Sequence, residues 1–270
     1  AFGFMLVMLL VFSALFAGVL APYDPDKLDL KNRLVGFTWG GPHWLGTDKT
    51  GRDTLSRILY GARISMKVGF GAVLISSTGA LFIGVVSGYI GGAFDKTIQR
   101  LIDAWQAMPG LIILITFLGI ARRNQSVDLV WAMVFSIGFL GIPGASRVFR
   151  SQVLTIKQAA YVEAARSLGA TAPRIMWKCI VPNVFPLVMV SATTGLGAAI
   201  LAEASLSFLG FGPAGKPSWG QMLSVEGREY MRVQPGLAIW PGLCIASAVF
   251  GFNIFGDALR DVLDPRLRGR

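Results

Sequence analysis

The chain has 270 residues, of which 53% are hydrophobic and only 15% charged, and its mean hydropathy is positive. A soluble domain of this size carries about a quarter charged residues, so the composition excludes an ordinary water-soluble globule and describes a membrane protein. The net charge of +10 is then a matter of topology rather than of nucleic-acid binding, and two cysteines, Cys179 and Cys244, make neither a disulfide framework nor a Cys-based metal site.

A bilayer core takes about 20 largely apolar helical residues. Six charge-free windows approach or exceed that length: Ala1–Tyr23, Val68–Phe94, Ala104–Ala121, Leu129–Ser146, Cys179–Ala202 and Val233–Gly256. The expected fold is therefore all-α and polytopic, with about six transmembrane helices in one domain over residues 1–270. Residues 1–23 form the first helix, 24–63 an extracytoplasmic loop, and 64–270 a five-helix core with a polar loop at about 150–182. The third and fourth windows are short, which puts Asp103 and Asp128 at interfaces. The first window is followed by Asp24-Pro25-Asp26 rather than a small-residue cleavage site, and reads as a retained helix and not a signal peptide. It lacks Met and a basic flank before it, so a short cytoplasmic tail is expected ahead of Ala1.

In the first loop, His43-Trp44-Leu45-Gly46-Thr47-Asp48 leads into Gly51-Arg52-Asp53. Leu55, Ile58, Leu59 and Ala62 then recur at helical spacing, as in a helix lying on the membrane surface. A calcium loop opening at Asp48 would place Arg52 at a ligand position, and His43 is the chain's one histidine, so neither builds a metal site. In the second span Gly84, Gly88 and Gly92 fall four apart, the spacing of a smooth face for close helix packing. Pro109-Gly110 interrupts the third span and Pro143-Gly144 ends the fourth.

The polar island Tyr161–Pro182 stands between two long apolar runs. Helix formers extend from about Arg147 to Leu168, Gly169 sits where a helix C-terminus takes a residue tolerant of positive φ, and a new helix begins with Thr171 as cap and Pro173 in its first turn. Before this corner come Glu163, Ala164 and Ala165. The alanines let a partner approach the backbone closely and Glu163 offers one directional charge, which together make a docking surface. Farther on, Glu203 stands inside or at the edge of the fifth run, either lining a translocation path, meeting a second subunit, or reaching water at the interface. The stretch Gly210–Pro217, GFGPAGKP, imitates the start of a phosphate loop, but Pro217 replaces the required hydroxyl and an apolar helix precedes it. No nucleotide site is visible.

Glu163-Ala164-Ala165, Gly169 and Pro182 resemble the EAA loop of the membrane-spanning permease subunits of ABC importers, with Cys179 and Val181 at the Ile and Leu positions of that pattern. The segment Leu45–Gly69 resembles, over some 25 positions, the signature entering the second helix of the dipeptide/oligopeptide (and nickel) permease subfamily. Glu203–Gly210, Pro217-Ser218-Trp219-Gly220 and Asp257–Arg268 are similar to that subfamily too. The resemblance implies a MetI-like type I importer permease in the bacterial plasma membrane, embedded in lipid, with Glu163–Gly169 as a cytoplasmic coupling helix. It also implies a homologous second permease, two ABC ATPase subunits that bind ATP and Mg, and an extracytoplasmic substrate-binding protein.

With the island in the cytoplasm, Lys and Arg divide twelve to twelve between the sides. The positive-inside rule is thus undecided and the orientation rests on the resemblance. A channel or secondary transporter is expected to show more ionisable groups in its spans. An intramembrane Ser/His hydrolase cannot be assembled from one histidine outside the spans. No cofactor, metal or catalytic residue is expected in this chain, which is read as a transport subunit for di- or oligopeptides. Nickel, haem or another small ligand is the alternative cargo.

Overall fold

The computed structural model describes residues 2–124, 126–213 and 215–263, and apart from one isolated bridge between Thr47 and Asp53 its regular elements there are helical. In chain order they are α1 (Phe2–Leu15), α2 (Ala17–Leu20), α3 (Thr54–Ile90), α4 (Gly92–Gln106), α5 (Gly110–Arg123), α6 (Leu129–Ile156), α7 (Ala160–Ser167), α8 (Ala172–Phe211), α9 (219–230, in three short pieces) and α10 (Gly236–Leu263). Part of the stretch likened above to peptide permeases, residues 264–268, lies outside the described residues, as does Ala214 in the GFGPAGKP stretch.

Among the described residues four helices, α3, α6, α8 and α10, have the length and apolarity to cross a membrane alone. α4 and α5 pass that test only as a pair, with a bend of 78° at the break between them. α1, at 14 residues, is apolar but shorter. Each charge-free window thus falls on a helix, while several boundaries move. The chain is an all-α polytopic membrane protein.

The largest correction concerns α3. Residues 55–62 do not lie flat on a membrane surface: they are the first turns of one 37-residue helix, about 55 Å long, nearly twice the thickness of a bilayer core. Asp53 starts it, its Oδ2 accepting from the Ser56 amide at 2.8 Å. The basic residues that broke the charge-free window are each satisfied by a group far away in sequence. Arg63 donates from Nε to the Ala14 carbonyl at 2.8 Å and from Nη2 to the Leu15 carbonyl at 3.0 Å, capping the end of α1. Lys67 stands over the Trp131 ring, 4.6 Å from its centroid.

Proline positions also read differently in three dimensions. Pro143 does not end the fourth span; α6 runs through it to Ile156. Pro109 does mark a break, the bend between α4 and α5. The island's first helix is two, since α6 stops at Ile156 and α7 restarts at Ala160. The first window likewise kinks at Phe16, between α1 and α2, instead of running on to Tyr23.

Packing divides the bundle along its length. One apolar cluster, with Ala72, Met133, Ile200 and Phe252, joins α1, α3, α5, α6, α8 and α10 toward the end where α3 begins. A second, with Val85, Phe149, Val162 and Ile180, joins α3, α6, α7 and α8 at the opposite end. α3 meets α6 closely there. A Cβ on Gly84 would stand 2.8 Å from the Ser146 carbonyl oxygen, and one on Gly88 3.0 Å from Val153 Cγ1. Gly92 does not share this face. It lies past the end of α3, with no atom within 4 Å of its Cβ position and φ of +62°, because Gly91 and Gly92 turn the chain into α4.

Candidate functional site

The α7 corner is built from local geometry. Gly169 has φ of +78°, its amide donates to the Arg166 carbonyl at 3.0 Å, and the Ala170 amide donates to the Ala165 carbonyl at 3.0 Å. These two bonds are the Schellman closure, which satisfies carbonyls the helix end would otherwise leave open. Thr171 occupies the cap position of α8 without a side-chain bond, and a proline follows in the first turn. Val162 is buried in the second apolar cluster and fixes α7 to α6 and α8. Glu163 and Ala164 are exposed, as is Leu168, at 89%. Ala165 is half-buried against the second cluster, so Ala164 is the alanine that faces fully outward.

Charged side chains tie this corner to the rest of the bundle. Lys157, between α6 and α7, donates from Nζ to the Tyr89 carbonyl at 3.1 Å and the Gly88 carbonyl at 3.3 Å, capping the end of α3. About two turns earlier on α6, Arg150 grips Asp95 of α4 with both arms of its guanidinium, Nε to Oδ1 at 2.6 Å and Nη2 to Oδ2. Arg147 pairs with Asp103, also on α4. From the sequence Asp103 is placed at an interface, without a partner, and none of these pairings is foreseen.

Residues 80–269 match the family described as binding-protein-dependent transport system inner membrane component. The chain belongs to that family. It is an ABC-importer permease, multi-pass in the bacterial inner membrane. The dipeptide transport system permease protein DppC of Alkalihalophilus pseudofirmus is 36% identical to it, over 98% of this chain and 85% of the relative. The glutathione transport system permease protein GsiD of Pectobacterium atrosepticum is 38% identical, over 97% and 85%. Among solved structures, the inward-facing MetNI methionine ABC transporter has a similar fold, with a TM-score of 0.62 at 18% identity, covering 78% of this chain and 97% of that one. An amino acid ABC transporter gives a TM-score of 0.52, also at 18% identity, over 79% and 92%.

In this permease Glu203 is sealed inside the chain. Its exposure is 0%; Oε2 accepts from Ser65 of α3 at 2.8 Å and Oε1 from Ser207 at 2.7 Å. The side chain neither reaches water at an interface nor stands on a surface that a second subunit could touch, because α3 and α8 close over it. It acts here as a bolt between those helices. Glu203→Gln keeps the shape but turns one acceptor into a donor, so one serine bond is lost. The expected cost is about 1–3 kcal/mol of stability, read as an earlier thermal loss of the detergent-solubilised complex, with the uptake rate per folded complex unchanged. Lost uptake at unchanged stability would instead place Glu203 in the transport path.

The opposite end of the permease carries a buried polar cap. Asp48 accepts from the Thr50 amide at 2.7 Å and from Arg52 Nε at 2.6 Å, and Arg52 Nη2 reaches Glu226 of α9 at 2.9 Å. Arg57 lies between Asp48 and Glu226 at 3.7 and 3.6 Å. Burial alone would raise the Asp48 carboxyl, but the bonds from Thr50 and Arg52 outweigh it and hold the group below the usual range. Burial pushes Glu226 upward despite Arg57. His43 is buried too, its Nδ1 2.9 Å from Asp53 Oδ1, so it supports the cap of α3. Trp219 closes the arrangement, donating from Nε1 to the Ile58 carbonyl at 3.0 Å. The first loop is therefore a folded plate locked onto α3 and α9.

Proposed function

We propose that this permease forms half of the translocation path of a peptide importer, that residues 1–270 act as one permease domain, and that α7 with its Gly169 corner is where an ATPase subunit docks. ATP hydrolysis belongs to two such ATPase subunits, a homologous permease supplies the other half of the path, and a binding protein delivers cargo to the cap. The observation that carries the docking reading is the α7 corner: a short helix anchored inward through Val162, presenting Glu163, Ala164 and Leu168 outward on a closed turn. The α7 end is cytoplasmic in this reading and the first loop faces outside.

Two findings support peptides as cargo. The relatives quoted above are named for a dipeptide and for glutathione, which share the peptide bond. A cavity of about 300 Å³ also opens between α3, α5, α6 and α8, where Ser76, Ser77 and Ser191 alternate with Gly141, Gly195 and Ala198. Its lining has no charged or metal-ligating side chain. Such a wall offers hydroxyls to a neutral amide backbone and nothing to hold nickel.

Proteoliposomes holding the permease, its paired permease and the ATPases, supplied with binding protein, are expected to import labelled dipeptides in competition with unlabelled peptides and not with Ni²⁺. Competition by Ni²⁺ alone would reverse the assignment. Orientation is checked with cysteines at exposed positions, Trp39 in the first loop, at 90% exposure, and Ser167 on α7. In intact cells an impermeant maleimide should label the first and spare the second. Labelling of both would overturn the proposed topology.

A further inference from the structure

α4 is weakly held by packing. Among its fifteen residues only Asp95 and Ile102 are buried, and the helix meets its neighbours through glycines at one end and a 78° bend at the other. At the first end Gly91 and Gly92 have φ of +69° and +62°, with no atom within 4 Å of the Gly92 Cβ position. Gly91 has the end of the Lys157 side chain 3.6 Å from its Cβ position, so the glycine link itself constrains α4 little and leaves its placement to the contacts with α6. At the second end Pro109 lets α5 leave in a new direction, and α5 supplies Leu114 to the wall of the cavity between the bundle's two halves. The chain thus contains a plank, α4–α5, whose far part borders the path.

What grips the plank is α6. Arg150 holds Asp95 with two bonds, and Arg147 holds Asp103 two turns farther along α4. Asp95 is only 7% exposed, so its charge depends on Arg150 for compensation, and a shielded bidentate pair is geometrically stiff. The same helix is capped by Lys157, bonded to the last carbonyls of α3, and leads into α7 through a tight turn in which the Gln158 amide donates to the Thr155 carbonyl at 3.2 Å and the Ala159 amide to the Ile156 carbonyl at 3.0 Å. One rigid piece therefore runs from the exposed face of α7 to the Asp95 carboxylate.

We infer that Arg150 and Lys157 are positioning residues for transport: they carry a displacement of α7 to α4 and to the end of α3, so that these move with α6 as one body relative to α10 and α5 takes the cavity wall with them. This rests on α7 being the ATPase-docking helix. Neither side chain touches cargo. Their work is to make the path wall follow the ATPases, which is a coupling free energy between two sites.

The experiment uses the assembled complex of both permeases, ATPases and binding protein, with spin labels at the exposed positions Arg100 on α4, Ser167 on α7 and Asp257 on α10. Trapping with ADP and vanadate is expected to change the 100–257 distance while leaving 100–167 fixed. In Asp95→Asn combined with Lys157→Met, the 100–167 distribution should broaden on trapping, and labelled dipeptide imported per ATP hydrolysed should fall about fivefold or more. ATPase capture in a pull-down should persist. Asp95→Glu, and the exchange Asp95→Arg with Arg150→Asp, should recover the ratio, which a merely destabilised helix would not. A trapped variant whose 100–257 change and import ratio match wild type overturns the inference. Loss of the ATPases from the Asp95→Asn complex would also overturn it, since the pair would then serve docking rather than transmission. Wild-type ATPase capture by both Ala164→Trp and Gly169→Val defeats the docking reading instead, so the two failures are told apart.

Discussion

Gly169→Val is expected to give a permease that inserts and folds its spans but no longer retains its ATPase. The residue sits at φ of +78°, where even an unbranched L residue costs roughly 1–2 kcal/mol and a β-branched one more. Relief of that strain opens the Schellman closure, so the Arg166 and Ala165 carbonyls lose their donors and α8 leaves the corner at another angle. Bulk on the docking face should act more directly. Ala164→Trp adds an indole on the exposed side of α7, and overpacking a fitted contact costs about 1–3 kcal/mol, which is about five- to 150-fold in ATPase affinity. Glu163→Gln removes one exposed charge and should weaken capture less than tenfold, as solvent-exposed pairs contribute about 0–1 kcal/mol. Pull-down of the ATPases from membranes with the three variants ranks them. Wild-type capture by Ala164→Trp and Gly169→Val together would mean that the partner docks elsewhere.

The second large effect is expected at Gly220, in the cap. A Cβ there would stand 2.3 Å from the Ala204 carbonyl oxygen and 2.6 Å from its Cα, so it meets the backbone of α8 and not a side chain that can turn aside. Gly220→Ala should cost about 1–3 kcal/mol and Gly220→Val more, because the neighbouring Trp219 cannot shift without breaking its bond to the Ile58 carbonyl. Thermal loss of the monodisperse gel-filtration peak in detergent should come several degrees earlier. Gly119→Ala is the control: its nearest neighbour is Phe211 Cε1 at 3.8 Å, an ordinary contact. Replacing a helical glycine in such space is neutral or stabilising by up to about 1 kcal/mol. Equal melting of the two alanine variants would show that α9 does not seat on α8 as described.

Much of the architecture was legible because the free energies that decide it are local. Burial of about 20 apolar residues in a bilayer depends on composition alone, and each charge-free window found a helix. Positive φ at Gly169 and the restart of a helix near Thr171 depend on a few neighbouring residues, so the corner could be read before any contact was known. The same rule misplaced the start of α3. A window that stops at a charge cannot see that Arg63 caps α1 from 48 residues away or that Lys67 lies on Trp131.

Which glycine of an evenly spaced series packs was equally out of reach: Gly84 and Gly88 meet α6, whereas Gly92 falls past the end of α3. Pro143 reads as a stop, yet α6 continues through it, because neighbouring helices in a bundle hold a helix that its own hydrogen bonds do not. By itself the sequence determined that this is a polytopic helical membrane protein with a polar helix–corner–helix between apolar runs, since transfer energies and backbone preferences act over one segment at a time. Only the tertiary structure decided that Glu203 is bolted to Ser65, that Arg52 and Arg57 share Glu226, and that Arg150 grips Asp95. A buried charge or polar group must find its partner in space, and those partners lie 55 to 174 residues along the chain, where no local pattern records them.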